Sequence, residues 1–239
     1  MPMASISSGG PLRLGRRTPW LRFVAIALTL LAAAPLVLTL VYAVVPPVST
    51  LMVARWLTLR PVERVWMPLD QIAATLPRAV VVSEDARFCQ HGGVDWAAVR
   101  LVLGEGGDNG PRRGASTITM QVAKNLFLWQ GAPYLRKPLE IVLAQGIELV
   151  WSKRRIMEVY LNIAEWGPDG VFGAEAGARR AFRKSARALT AREASVMAAA
   201  LPNPIVRDAR RPNRQASSHA AVIVRRARAA AALTGCLAR

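Results

Sequence analysis

Phe23 to Val45 (FVAIALTLLAAAPLVLTLVYAVV) is a run of 23 residues without a charge. As a helix it would reach roughly 34 Å, enough for a hydrocarbon core of about 30 Å. Its internal Pro35 is tolerable in a membrane helix. Arg13, Arg16, Arg17 and Arg22 precede it with no acidic residue, which predicts a cytoplasmic N-terminus. The apolar core is too long for a cleaved signal, and Tyr42 to Pro47 offers no convincing small-residue cleavage site. Residues 1–22 therefore read as a basic cytoplasmic tail and 23–45 as a single transmembrane helix. Residues 46–66, where apolar positions alternate with Arg55, Arg60 and Arg64 and include Trp56 and Trp66, read as a juxtamembrane segment.

From Met67 to Arg239 the apolar spacing is helical, with almost no period-2 alternation, so this domain is predicted to be mainly α. Pro77 suits the first turn of a helix running to about Arg87. A loop follows at His91-Gly92-Gly93, and Gly104 to Gly114 (GEGGDNGPRRG) reads as a mobile surface loop. Ser116 to Leu128 is predicted helical. Pro138 marks the first turn of the next helix, which runs to Trp151 with Leu139, Val142, Leu143, Ile147 and Val150 on one broad face. Ser152 is placed to cap Lys153 to Asn162. Thr190 and Glu193 have the spacing of a capping box, opening a small-residue helix that Pro202 stops.

Composition then narrows the class. The 239 residues are 52% hydrophobic, which excludes disorder as the main state. The net charge of +17 would suit a nucleic-acid binder, but a domain beyond an inner-membrane anchor meets no DNA. Only four charges belong to the tail arginines, so the outer part keeps a strong positive excess, drawn to anionic headgroups and lipid-linked anions. Two cysteines are too few for a disulfide scaffold or zinc ribbon, and Cys89 and Cys236 are not expected to pair.

Three clusters carry candidate chemistry: Glu84-Asp85-Ala-Arg-Phe88-Cys-Gln-His91-Gly-Gly-Val-Asp95; Arg113-Gly-Ala-Ser116-Thr117-Ile-Thr119-Met-Gln121-Val-Ala-Lys124-Asn125; and Arg136-Lys137-Pro-Leu-Glu140, followed by Lys153 to Asn162. Each has an ordinary reading alone. Adjacent acids often cap a helix, Arg136 and Glu140 at i,i+4 suit a surface ion pair, and a helical lysine commonly snorkels.

In this order, however, they resemble the peptidoglycan glycosyltransferases of glycosyltransferase family 51, specifically the monofunctional membrane-anchored transglycosylases. EDARFCQHGGVD is similar to the family's EDxxFxxHxGxD, GASTITMQVAKN to GxSTxTxQxxKN and RKPLE to RKxxE, while KRRIMEVYLN resembles its fourth motif. The likeness runs from about Trp66 to Pro204 and is weakest at the fifth motif, matched loosely to Arg225-Arg226-Ala-Arg228. Two positions depart from the pattern: Ala115 replaces a usual Gly, and Met120 a common Gln that could touch the substrate.

The resemblance implies a lysozyme-like, two-lobed catalytic domain over residues 67–239. It implies polymerisation of lipid II into β-1,4-linked glycan strands by inverting displacement of undecaprenyl diphosphate. Glu84 would be the general base, and Arg136, Lys137 and Lys124 would hold the diphosphate. Glu140 would be a second important carboxylate, acting near the diphosphate directly or through Mg²⁺ or Mn²⁺; no organic cofactor is implied. Asp85, Phe88, His91, Ser116, Thr117, Gln121 and Asn125 match positions that shape or contact the site. The expected partners are lipid II, the growing glycan chain, the inner membrane and cell-wall synthesis proteins, with the domain periplasmic. Alternatives are a glycan-cleaving lysozyme-like enzyme, which needs no diphosphate clamp, and an idle tether recruiting cell-wall machinery. None of Lys124, Lys137, Lys153 or Lys184 sits in a Ser-x-x-Lys or Lys-Thr-Gly motif, so no transpeptidase activity is expected.

Overall fold

The computed structural model describes residues 19–104, 115–230 and 232–238. Arg13, Arg16 and Arg17 of the basic tail, Arg113 and Gly114 of the second motif, and residues 105–114 of the expected loop lie outside them.

The first helix, α1 (Pro19–Tyr42), is almost wholly solvent-facing, and among the described residues it alone is long and apolar enough to cross a membrane. Such a face cannot be a soluble surface; it needs lipid. Its lower end is fastened to the domain. The Trp151 indole donates to the carbonyl of Thr39 at 2.8 Å, and Arg155 donates to the carbonyls of Tyr42 and Val45. The anchor thus ends in a docked joint.

The stretch after the anchor is also part of the packed structure. Ser49 caps α2 (Thr50–Leu57), and Thr50 Oγ1 donates to the carbonyls of Asn125 and Leu128. Trp66 lies under the guanidinium groups of Arg64 and Arg155, at 5.2 and 5.4 Å from the ring centre.

The domain is helical around a buried centre: α3 (Thr75–Glu84), α4 (Trp96–Gly104), α5 (Ile118–Phe127), α6 (Pro133–Val150), α7 (Lys153–Ile163), α8 (Ala174–Phe182), α9 (Ala191–Ala200) and α10 (Arg214–Arg228). The middle is α7, whose residues Ile156, Met157, Tyr160, Leu161 and Ile163 are each at most 1% exposed. Ser152 caps α7 through Arg155 N, and Thr190 with Glu193 forms the full capping box of α9, both as expected. A three-stranded sheet lies beside the helices, ordered β1 (Glu63–Arg64), β3 (Val171–Phe172), β2 (Glu165–Gly167). With two or three residues apiece, these strands are too short to leave a period-2 trace.

Three expectations need correction. The third helix stops at Glu84, not near Arg87, so Glu84 falls at the helix end. Helix α6 starts five residues before Pro138, with Pro133 in the first-turn position and Pro138 inside the helix. Cys89 and Cys236 form a disulfide, their Cα atoms 5.6 Å apart across 147 residues of sequence. The bond pins the 3₁₀ segment Ala232–Leu237 to the 3₁₀ turn Phe88–Gln90, and Arg154 donates to the carbonyl of Leu237 on the same side.

Candidate active site

The end of α3 places two adjacent acids in opposite environments. Asp85 turns inward: its Oδ2 accepts the Ile118 N–H at the start of α5 at 3.0 Å, and its carboxylate pairs with His91 Nε2 at 3.0 and 3.1 Å. Phe88 is fully buried. Lys153 lies 4.5 Å over its ring and donates to the carbonyl of His91 and to Glu148. Thr117 caps α5 through Met120 N and donates to the carbonyl of Gly93. Gly93 has φ +89°, and a Cβ there would stand 2.9 Å from the Ala144 oxygen, so only glycine fits. Asp85, Phe88, His91 and Thr117 therefore brace the joint between the first two motifs; Phe88 and His91 do not reach the cleft.

Glu84 faces the other way, into a cleft of about 470 Å³ lined by Ser116, Gln121, Lys124, Arg136, Lys137, Glu140, Pro202 and His219. Its Oε2 accepts from Gln121 Nε2 and its Oε1 from Ser83 Oγ, each at 3.1 Å. Burial pushes its carboxyl above the usual range, against the pull of those two hydrogen bonds and of the positive potential from His219 and Arg207. A carboxylate held this way is poised to take a proton.

The opposite wall is cationic. Arg136 Nε donates to Glu140 Oε1 at 2.6 Å, while its Nη1 fastens the carbonyls of Trp129 and Gly131. Lys137 Nζ donates to Glu140 Oε2 at 3.2 Å and to Ser116 Oγ. The Arg136 and Lys137 charges are thus oriented by one buried acid. Lys124 has no ion pair among the described residues; burial first, and then Arg136, holds its ammonium below the usual lysine range. Three cations sharing one paired carboxylate leave this wall net positive, which suits an anion with several oxygens.

Asn125 lies in an adjoining recess of about 210 Å³, which shares Gln121 and Lys124 with the main cleft and adds Tyr160 and Glu165. On the other side of Glu84, a recess of about 270 Å³ is lined by Asp85, Ala115, Ser116 and Thr117. Both recesses share lining residues with the main cleft, Gln121 and Lys124 for one and Glu84 and Ser116 for the other. Met120 is fully buried in the core, so the expectation that position 120 touches the substrate is corrected: that side chain points away. Ala115 does border the site.

A metal centre fits poorly. Both Glu140 oxygens already carry cationic donors. Among the described residues no group of three or more His, Cys, Asp or Glu comes together.

Sequence reading missed His219 and Arg207, and it placed Tyr160 in the third cluster without giving it a role. His219 stands in the helix Arg214–Arg228, whose buried face is Ala216, Ala220 and Ile223, with no spacing to mark it as chemical. The loosely matched Arg225, Arg226 and Arg228 occupy the last turn of that helix and do not line the cleft.

Comparison with known proteins agrees with this geometry. A family model described as Transglycosylase matches residues 52–228. The chain is 57% identical over 211 residues to the biosynthetic peptidoglycan transglycosylase of Rhodopseudomonas palustris (strain HaA2), covering 88% of this chain and 93% of that protein. It is 52% identical over 216 residues to the protein of the same name from Nitrobacter winogradskyi, covering 90% and 95%. With the one from Brucella suis biovar 1 it shares 51% over 213 residues, covering 87% and 95%. A half-buried carboxylate facing a cationic wall, on a helical domain behind an apolar helix, is thus set in a chain that belongs to the transglycosylase family, the peptidoglycan glycosyltransferases.

Proposed function

We propose that the chain polymerises lipid II, a disaccharide-pentapeptide carried on undecaprenyl diphosphate, into β-1,4-linked glycan strands. The observation that carries this reading is the pairing of Glu84 with Lys124, Arg136 and Lys137 across one cleft. The acceptor 4-hydroxyl gives its proton to the Glu84 carboxylate as its oxygen bonds to the donor anomeric carbon. The bond from that carbon to the diphosphate oxygen breaks, and its electron pair leaves with undecaprenyl diphosphate. One displacement inverts the α-linked donor to a β product, so one base suffices and no covalent enzyme intermediate is needed.

The leaving group needs charge stabilisation more than a proton. The Arg136 fork suits paired phosphate oxygens, with Lys137 and Lys124 as point charges beside it. Glu140 holds Arg136 and Lys137 in place, which accounts for a carboxylate inside an anion site. Ser116, Gln121 and Asn125 supply neutral polar groups along the same path.

On this reading the N-terminus is cytoplasmic, the helix crosses the inner membrane once, and the domain works in the periplasm. The arginines before the anchor support that orientation. So does the Cys89–Cys236 bond, since disulfides persist in oxidising compartments. The remaining partners on this reading are the growing glycan and cell-wall synthesis proteins.

The test is a product gel after incubating detergent-solubilised protein with labelled lipid II, wild type beside Glu84→Gln. A muramidase-sensitive ladder from wild type alone supports both the polymerase and its base. Absence of polymer from folded wild-type protein would overturn the reading in favour of an idle tether, and release of fragments from preformed glycan would point to a cleaving enzyme.

A further inference from the structure

We infer that Tyr160 is a positioning residue for the base, acting through Gln121 to fix which face of that amide meets Glu84. The inference rests on Glu84 being the base of the proposed polymerisation.

Gln121 is spanned on both sides. Its Nε2 donates to Glu84 Oε2 at 3.1 Å, and its Oε1 accepts from the Tyr160 hydroxyl at 3.1 Å. A side-chain amide has a donor end and an acceptor end of nearly equal size, so shape alone does not decide which one faces the carboxylate. Rotated by half a turn, Gln121 would set a carbonyl oxygen against the Glu84 oxygen, and the two would repel. The ionised Glu84 favours the donor end, and the Tyr160 hydroxyl, donating to Oε1, locks that choice from the other side. A phenol always has a proton to give below its own pKa, and here burial first, and then the nearby Glu84 and Asp85 charges, push that pKa well above the usual tyrosine value. Tyr160 is 1% exposed and packed within α7, so its oxygen is fixed relative to the core.

The consequence falls on Glu84. Ser83 serves one of its oxygens and Gln121 the other, so the carboxylate plane is set and its free lone pairs are left toward the cleft. The amide N–H also favours the ionised form, opposing the burial that favours the protonated one. The other charged and titratable groups around Glu84 are His219 on α10, Arg207 before it, Lys124 on α5, Asp85 next in the chain, and Arg136, Lys137 and Glu140 on α6. None of them hydrogen-bonds Gln121 among the described contacts, so the amide is held by Glu84 at one end and by the phenol at the other.

The experiment is the pH profile of kcat for lipid II polymerisation by full-length protein in detergent, comparing wild type, Tyr160→Phe, Gln121→Leu and the double variant. Tyr160→Phe is expected to move the acid limb up by about one pH unit, a tenfold loss at pH values below the limb that shrinks above it. KM should stay within about twofold, because the phenol acts on the base and not on substrate binding. Gln121→Leu, which keeps the shape and deletes both hydrogen bonds, should move the limb at least as far. In the double variant, Tyr160→Phe should add nothing further. A merely structural tyrosine would instead lower the rate alike at every pH and lower Tm. An unmoved limb in folded Tyr160→Phe overturns the inference. So does an unmoved limb in Gln121→Leu even if Tyr160→Phe does not fold, because the inferred action runs through that amide. A wild-type protein that makes no polymer would sink the functional reading itself, a result distinct from either of these.

Discussion

Arg155 holds the end of the membrane helix: its Nε and Nη2 donate to the Tyr42 carbonyl at 3.1 and 2.8 Å, and Nη2 also reaches the Val45 carbonyl at 2.7 Å. These carbonyls belong to the last turn of α1 and the residues just past it, where no further helical N–H is available. A cation there also meets the negative end of the helix dipole. Glu158 fixes the same guanidinium from below at 2.5 Å. Arg155 thus joins the apolar helix to the domain core, beside the Trp151 indole on the Thr39 carbonyl.

Replacing Arg155 by Ala should free that joint while leaving the core folded. Chymotrypsin should then cut the detergent-solubilised chain at Tyr42 several-fold faster than wild type, since local opening governs cleavage. Equal cleavage rates would show that the joint is held elsewhere.

Glu84→Gln should lower polymerisation by about 100- to 10,000-fold, the usual contribution of a general base. It should not destabilise the protein. Burial raises the Glu84 pKa in the folded state, so between the unfolded and folded values the folded protein binds more protons. Stability therefore falls as pH rises through that window, and the ionised Glu84 is a net burden at neutral pH. A Tm for Glu84→Gln equal to or above that of wild type at pH 7.5, measured by thermal melt, is the expected outcome; a clear drop would contradict it.

The wild-type rate should rise with pH through the raised Glu84 value, because the base must be ionised. It should fall again at alkaline pH below the ordinary lysine value of 10.5, because Lys124 loses its charge early. Lys124→Ala should raise KM for the diphosphate donor and abolish that alkaline limb. Persistence of the limb would assign it to another group.

Much of the site could be read from the chain because its residues are clustered: Glu84, Ser116, Gln121, Lys124, Arg136, Lys137 and Glu140 converge on one cleft from three short stretches. Only the family resemblance separated Glu84 from Asp85; spacing alone did not. Two neighbouring acids look alike until the helix ends between them and turns one inward. His219 was missed because it is one polar residue among many on an ordinary amphipathic helix, and Tyr160, though in the third cluster, carries no spacing that reveals its hydrogen bond to Gln121. The start of α6 was misplaced because two prolines five residues apart both suit a first turn, and only packing chooses Pro133. The disulfide was missed because its partners lie 147 residues apart and their neighbours carry no signal.

The double substitution Cys89→Ser with Cys236→Ser should cost about 2–4 kcal/mol of stability for so long a loop. At roughly 2–4 °C per kcal/mol for a domain of this size, Tm should fall by about 5–15 °C. A melt of wild type with and without reductant should reproduce the drop, and an unchanged melt would show the bond to be dispensable.

That bond also imposes an order on the birth of the protein. A ribosome delivers Cys89 long before Cys236, so the turn bearing Phe88 waits for another 147 residues to be made and brought to the same side of the bilayer. Until then the segment behind the two acids lacks its brace. A chain arrested before Cys236, or kept among reducing thiols, would carry Glu84 and its cationic wall and still lack the clasp behind them.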